Sequence, residues 1–219
     1  DFVGSGNDGF VSIWYDQSGN GNDLTQSTAD SKQPTIVTSG AINTRNNQPI
    51  IKFIQANSTF LQTADSNMFP SGSSLAVTIF HAMHVDASSG NRIGLFGSNG
   101  SGNNASANSY RFGSFPPRKI GVKFADASST QVELVSDQIA NNFNSILTYQ
   151  FALNSGTVSL QAFNNGSALN SVSLSTTDQS YSAQSGVTVL GSRTTTDNFS
   201  DSEYFEVIAY GSDQLSNRL

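Results

Sequence analysis

The chain has no cysteine among its 219 residues. That excludes a disulfide scaffold, a cysteine-ligated zinc site and a thiol nucleophile. Charge is scarce too: Asp, Glu, Lys and Arg together make up 12% of the chain, with a formal net charge of −6. Ten Lys and Arg residues scattered along the chain build no basic stripe, so neither nucleic acid nor an anionic membrane surface is an expected partner. No apolar run approaches the roughly 18 residues of a membrane span, and no basic-then-apolar leader opens the chain. Its abrupt start, DFVGSGNDGF, reads as a segment of a longer polypeptide. Helical periodicity is nearly absent as well.

What remains is a surface covered mainly by Ser, Thr, Asn, Gln and Gly. Such a surface suits neutral polar ligands, glycans above all. The length allows a substantial core without covalent staples. Short apolar or alternating runs recur between Gly/Asn/Ser/Asp clusters, the pattern of a sandwich or barrel. They predict strands at Phe10–Tyr15, Pro49–Phe53, Phe60–Gln62, Leu75–Val85, Arg92–Gly97, Tyr110–Phe115 and Lys119–Phe124. Further strands are predicted at Gln131–Leu134, Asn144–Leu153, Thr157–Phe163, Ala168–Ser175, Val187–Ser192 and Glu203–Tyr210. That number suits two packed antiparallel sheets, an all-β sandwich, better than one. No linker or repeat divides the chain, so residues 1–219 read as a single domain.

Several turns carry a mechanism. Asn165-Gly166, between VSLQAF and SALNSVSL, accepts the positive φ of a type I′ hairpin turn. Residues 98–109 form a long polar loop. Pro116-Pro117 ends the strand before it. Ser136–Asn142 is expected to form a short helical turn, and the tail DQLSNRL to start a helix capped by Asp213 or Ser212.

The phrases YDQSGNGNDLTQ, QPTIV (33–37) and GAINTRNNQPIIKF (40–53) resemble the laminin-G-like, concanavalin A-like jelly-roll domains of bacterial secreted proteins. LTYQFALNSGTVSLQAFNNGSAL resembles that family's strand pair ending in an Asn-Gly hairpin. VTVLGSRTTTDNFSDSEYFEVIAYGSDQLSNRL resembles its closing passage. The resemblance spans nearly the whole chain in order and implies two antiparallel sheets joined as a jelly roll. One passage departs: where the family has an F-D-G-x-x-D-Y-L phrase, this chain has FIQANSTFL (53–61). A ligand or metal role carried by those acids does not transfer.

The stretch WYDQSGNGNDLTQ (14–26) reads two ways. Asp16, Asn20, Asn22 and Asp23, with Gly19 and Gly21, offer oxygens on a tight loop, as a structural calcium ion requires. The same residues build consecutive Asx turns, with the glycines supplying positive φ. A second acidic group is Asp197, Asp201, Glu203 and Glu206. In a regular strand Glu203 and Glu206, three apart, face opposite sides. His81 and His84 are likewise expected on opposite faces, one against the core and one facing out.

The WYDQSGNGNDLTQ phrase also resembles one in arabinofuranosidase-type jelly-roll domains. Hydrolysis needs two carboxyl groups across a cleft. The three glutamates, Glu133, Glu203 and Glu206, match no glycosidase passage, and those domains rely on cysteines absent here. Sugar binding needs an aromatic platform with polar partners. Trp14, Tyr15, Tyr110, Phe115, Tyr181 and Phe199 are candidates, and Tyr110, Arg111 and Phe115, flanking the long polar loop, are the ligand-binding expectation. The alternative there packs Tyr110 and Phe112 inward. Either Trp14 or Tyr15 faces in, with Trp14 expected in the core.

The expected role is a non-catalytic module, extracellular or at a cell surface, that binds a glycan or a protein surface in carbohydrate recognition or adhesion. Two alternatives stand beside it: a virion component assembled into a capsid decoration or fibre, and a glycoside hydrolase of arabinofuranosidase type.

Overall fold

The computed structural model describes residues 3–27, 29–63, 72–85, 109–115, 119–125, 131–138, 143–175, 187–192 and 199–217. The first strands are short: β1 (Gly9–Phe10), β2 (Ile13–Trp14), β3 (Leu24–Thr25), β4 (Thr35–Thr38), β5 (Ala41–Ile42) and β6 (Thr44–Arg45). Next come β7 (Gln48–Pro49), β8 (Ile51–Phe53), β9 (Leu61–Gln62), β10 (Ser74–Val85), β11 (Ser109–Phe115) and β12 (Lys119–Ala125). The rest are β13 (Gln131–Gln138), β14 (Phe143–Asn154), β15 (Thr157–Asn164), β16 (Ser167–Ser175), β17 (Val189–Leu190) and β18 (Ser202–Tyr210).

One large antiparallel sheet runs β1–β4–β8–β18–β10–β14–β15–β16, with β5 also on β4. Two smaller sheets, β11–β12–β13 and β17–β9–β3–β2, form the second layer. The all-β antiparallel sandwich expected from the strand pattern is therefore present. Alternation decides which side chains enter it. On β10, Leu75, Val77, Ile79, His81 and Met83 are buried inward, and opposite them on β14 so are Leu147, Tyr149, Phe151 and Leu153. Phe112 of β11 meets Tyr149 from the other layer, ring centroids 5.9 Å apart. Each Val, Leu, Ile, Met or Phe among them contributes about 1.5–3 kcal/mol when removed from water.

Two-residue left-handed turns set the registers. Asn165-Gly166 joins β15 to β16 with φ of 48° and 77°, and Asn165 Oδ1 accepts the Ile146 N–H at 2.9 Å. Ser155-Gly156 joins β14 to β15 in the same way, and Ser39-Gly40 joins β4 to β5. Asn46-Asn47 closes the β6–β7 hairpin. Only the first of these was legible beforehand, because Ser at a positive φ carries no sequence signal as strong as Asn-Gly.

Three local expectations change. The β13 ladder runs on to Gln138, so residues 136–138 are strand rather than helix; pairing with β12 outweighs local helical preference. Residues 139–142 and the Arg92–Gly97 strand lie outside the described residues. β4, not anticipated as a strand, pairs β1, β5 and β8. The tail forms a 3-10 turn, Leu215–Asn217, with Asp213 Oδ1 accepting the Leu215 N–H at 2.9 Å.

Candidate functional site

The 14–26 loop is held by its own hydrogen bonds. Asp16 Oδ1 accepts the Ser18 N–H at 2.7 Å, and Oδ2 accepts the Ser18 hydroxyl at 2.8 Å and the Asn22 N–H at 3.0 Å. The Ser18 hydroxyl first, then the Asn22 and Ser18 backbone N–H groups, hold the Asp16 carboxyl below its ordinary range. Asp23 Oδ1 accepts the Asp16 N–H at 2.8 Å, and the Asn20 amide donates to Ser18 Oγ at 2.9 Å. A hard cation needs six to eight oxygens, and three carboxylate oxygens of this set already serve N–H and O–H donors. Trp14 packs against the core while Tyr15 is exposed.

Of the expected ligand trio, Tyr110 is turned away from solvent. Tyr110 is 3% exposed, its hydroxyl 2.9 Å from Thr188 Oγ1 and its ring 5.7 Å from Phe112. Strand alternation explains the correction: Tyr110 shares the inward side with Phe112, and Arg111 takes the opposite one. Arg111 is half-buried. The Phe115 side chain, Tyr181 and Asp197 lie outside the described residues. Phe199 is half-buried, 6.0 Å from the Phe60 ring.

His81 and His84 do take opposite faces. His81 lies wholly within the core, edge-on to Tyr149 at 5.4 Å. Burial drops its pKa to about 3 and pushes the Tyr149 and Tyr204 phenols up. His84 is on the outer side yet only 5% exposed, with Nδ1 2.9 Å from Asn144 Oδ1. Among the described residues, no three His, Cys, Asp or Glu side chains gather as a metal would require.

A different constellation forms on the outer face of the large sheet. A bulge in β18 creates it. Tyr204 pairs Met83 and Glu206 pairs Ala82, so Phe205 is the extra residue. The bulge resets the alternation, and Glu203 and Glu206 share the outer face instead of facing opposite sides. Cross-strand rows then follow. Lys52, Glu203, His84 and Asn144 form the first. Glu206, Ala82 and Ile146 form the second, Ile208, Phe80 and Thr148 the third, and Tyr210, Thr78 and Gln150 the fourth.

Both ends of this face are walled. The β6–β7 hairpin reaches over the first row, where Arg45 forms an ion pair with Glu203. The segment after β18 folds back over the fourth: the Thr78 hydroxyl donates to the Ser212 carbonyl at 2.9 Å and accepts the Gln214 N–H at 3.0 Å. His84 to Thr78 is six residues of strand, so the two end rows stand about 20 Å apart. Ile208 of the third row and Tyr210 of the fourth are exposed at 36% and 42%, and Phe80 meets the Tyr210 ring edge-to-face at 6.2 Å. Beside them the Gln161 amide donates to Gln150 Oε1 at 3.1 Å. The sequence signal for this trough was the alternation of FHAMHV and EVIAY; the bulge that brings the rows into line left none.

No family model and no curated protein matches the chain. Solved structures do. An arabinofuranosidase complexed with arabinofuranosyl-α-1,2-xylobiose is 16% identical with a TM-score of 0.54, over 97% of this chain and 50% of that one. The binding domain of Paraclostridial Mosquitocidal Protein 1 is 10% identical with a TM-score of 0.58, over 93% and 47%. The botulinum neurotoxin serotype D binding domain is 11% identical with a TM-score of 0.52, over 82% and 45%. The chain thus spans about half the length of these structures. Similarity at this identity shows the fold, a β-sandwich.

Proposed function

We propose that the chain is a non-catalytic interaction module of laminin-G-like, concanavalin A-like type, acting outside the cytoplasm within a longer polypeptide. It binds carbohydrate, or a protein surface in adhesion. The observation that carries this reading is the exposed pair Ile208 and Tyr210 set beside half-buried Phe80 on a hydrogen-bonded sheet face. An apolar strip rimmed by polar groups marks a recognition surface, and a sheet presents it with little ordering cost. Sandwich folds serve many functions, so the site carries the argument. A glycan array probed with wild type and Tyr210→Ala tests it. Retention on a defined set of glycans, weakened in the variant, supports the reading; no retention on any glycan and no binding to cell surfaces refutes it.

Hydrolysis is the second reading, because the β18 bulge sets two carboxylates, Glu203 and Glu206, on one face. Release of arabinose from a synthetic arabinofuranoside, abolished in Glu206→Gln, is its signature; an inert preparation ends it.

A further inference from the structure

Resting on the reading of a glycan-binding module, we infer that the outer-face trough selects neutral, hydroxyl-bearing saccharides and turns acidic ones away. The floor supplies the apolar contact. Ile208 and Tyr210 stand exposed beside Phe80, and the edge-to-face contact holds the Tyr210 ring in place. A pyranose ring presents an apolar face that such a platform strips of water.

The charges around the floor set the class of ligand. Glu206 lies two positions before Ile208 and is exposed. Asp213, also exposed, stands on the wall just past Tyr210, with one oxygen accepting the Leu215 N–H. The described cations of this face, Arg45 and Lys52, are at the far end beside Glu203, and Arg45 is ion-paired with it. An ionised carboxylate only accepts hydrogen bonds, so Glu206 complements sugar hydroxyls. A ligand carboxylate or sulfate on the strip meets Glu206, two strand positions or about 7 Å from Ile208, within the Debye length of roughly 8 Å at physiological salt, and Asp213 adds a second negative charge at the wall.

The test uses the purified chain with three panels of oligosaccharides: neutral, acidic (sialylated, uronic or sulfated) and amine-bearing. Binding is measured by calorimetry at low and high salt. The expected result is a neutral ligand whose affinity barely changes with salt. Tyr210→Ala weakens it by about tenfold or more. Tyr210→Phe, which keeps the platform, retains it, and Glu206→Gln, which keeps an acceptor, weakens it less than Tyr210→Ala. A preference for acidic glycans overturns the inference and leaves the module reading standing. So does a preference for amine-bearing ligands lost in Glu206→Gln, which marks a cation site. Equal affinity of wild type and Tyr210→Ala also overturns the inference alone, since the glycan then binds elsewhere. Binding to none of the panels removes the inference and the carbohydrate reading together, and leaves adhesion to a protein surface as the module's role.

Discussion

His81 is a histidine in a place built for a hydrocarbon, and its cost depends on pH. Burial drops its pKa to about 3 from an ordinary 6.5. Between those values the unfolded chain binds a proton that the folded chain refuses. This residue therefore contributes a stability that is full above pH 6.5 and declines as pH falls toward 3, by up to about 1.4 kcal/mol per unit. Urea unfolding at pH 7, 5 and 4 measures the slope, which His81→Phe reduces. The Tyr149 hydroxyl is buried with no hydrogen-bond partner among the described residues. Tyr149→Phe removes a desolvated group and raises stability by about 1 kcal/mol; a loss of similar size shows that the hydroxyl is satisfied. Gly191 behaves in the opposite way. Its φ is 87°, and a Cβ there falls 2.1 Å from the Phe53 ring. Gly191→Ala destabilises by about 2–5 kcal/mol through backbone strain and overpacking, a shift readable as a lower urea midpoint.

Among the elements, the 14–26 loop follows local turn chemistry that the sequence carries, whereas the β18 bulge depends on pairing with a distant strand. Asx turns were legible around Asp16 because Asp and Asn beside Gly have a local reason to be there, and the hydrogen bonds now name each partner. Calcium at this loop is a separate proposal with its own test. Because Asp16 already serves three donors, chelator is expected to leave the melting temperature unchanged, whereas Asp16→Ala lowers it. A drop of several degrees in chelator alone restores the ion. The relation between Glu203 and Glu206 was misread, because strict alternation fails where one extra residue enters a strand. Nothing in SEYFEVIAY marks Phe205 as that residue; the register against β10 does. Tyr110 was ambiguous for a related reason, since a strand flanking a loop gives no sign of which side is covered until the second layer is in place.

For the molecule as a whole, the sandwich was readable from strand length, alternation and turn chemistry, which are local. The candidate site was not, because it is assembled from segments far apart in sequence. Phe80 and Tyr210 come from β10 and β18, and the walls come from residues 43–50 and 211–217. A hairpin at Asn46-Asn47 and a polar tail gave no hint that they enclose one face of the sheet. The proposal that this trough is the recognition surface is tested most directly by NMR. A glycan selected from an array is titrated into the labelled chain and shift changes are mapped. Changes centred on Phe80, Glu206, Ile208 and Tyr210 are expected. Changes confined to the 14–26 loop, or to the outer side of β11 around Arg111, would contradict the proposal.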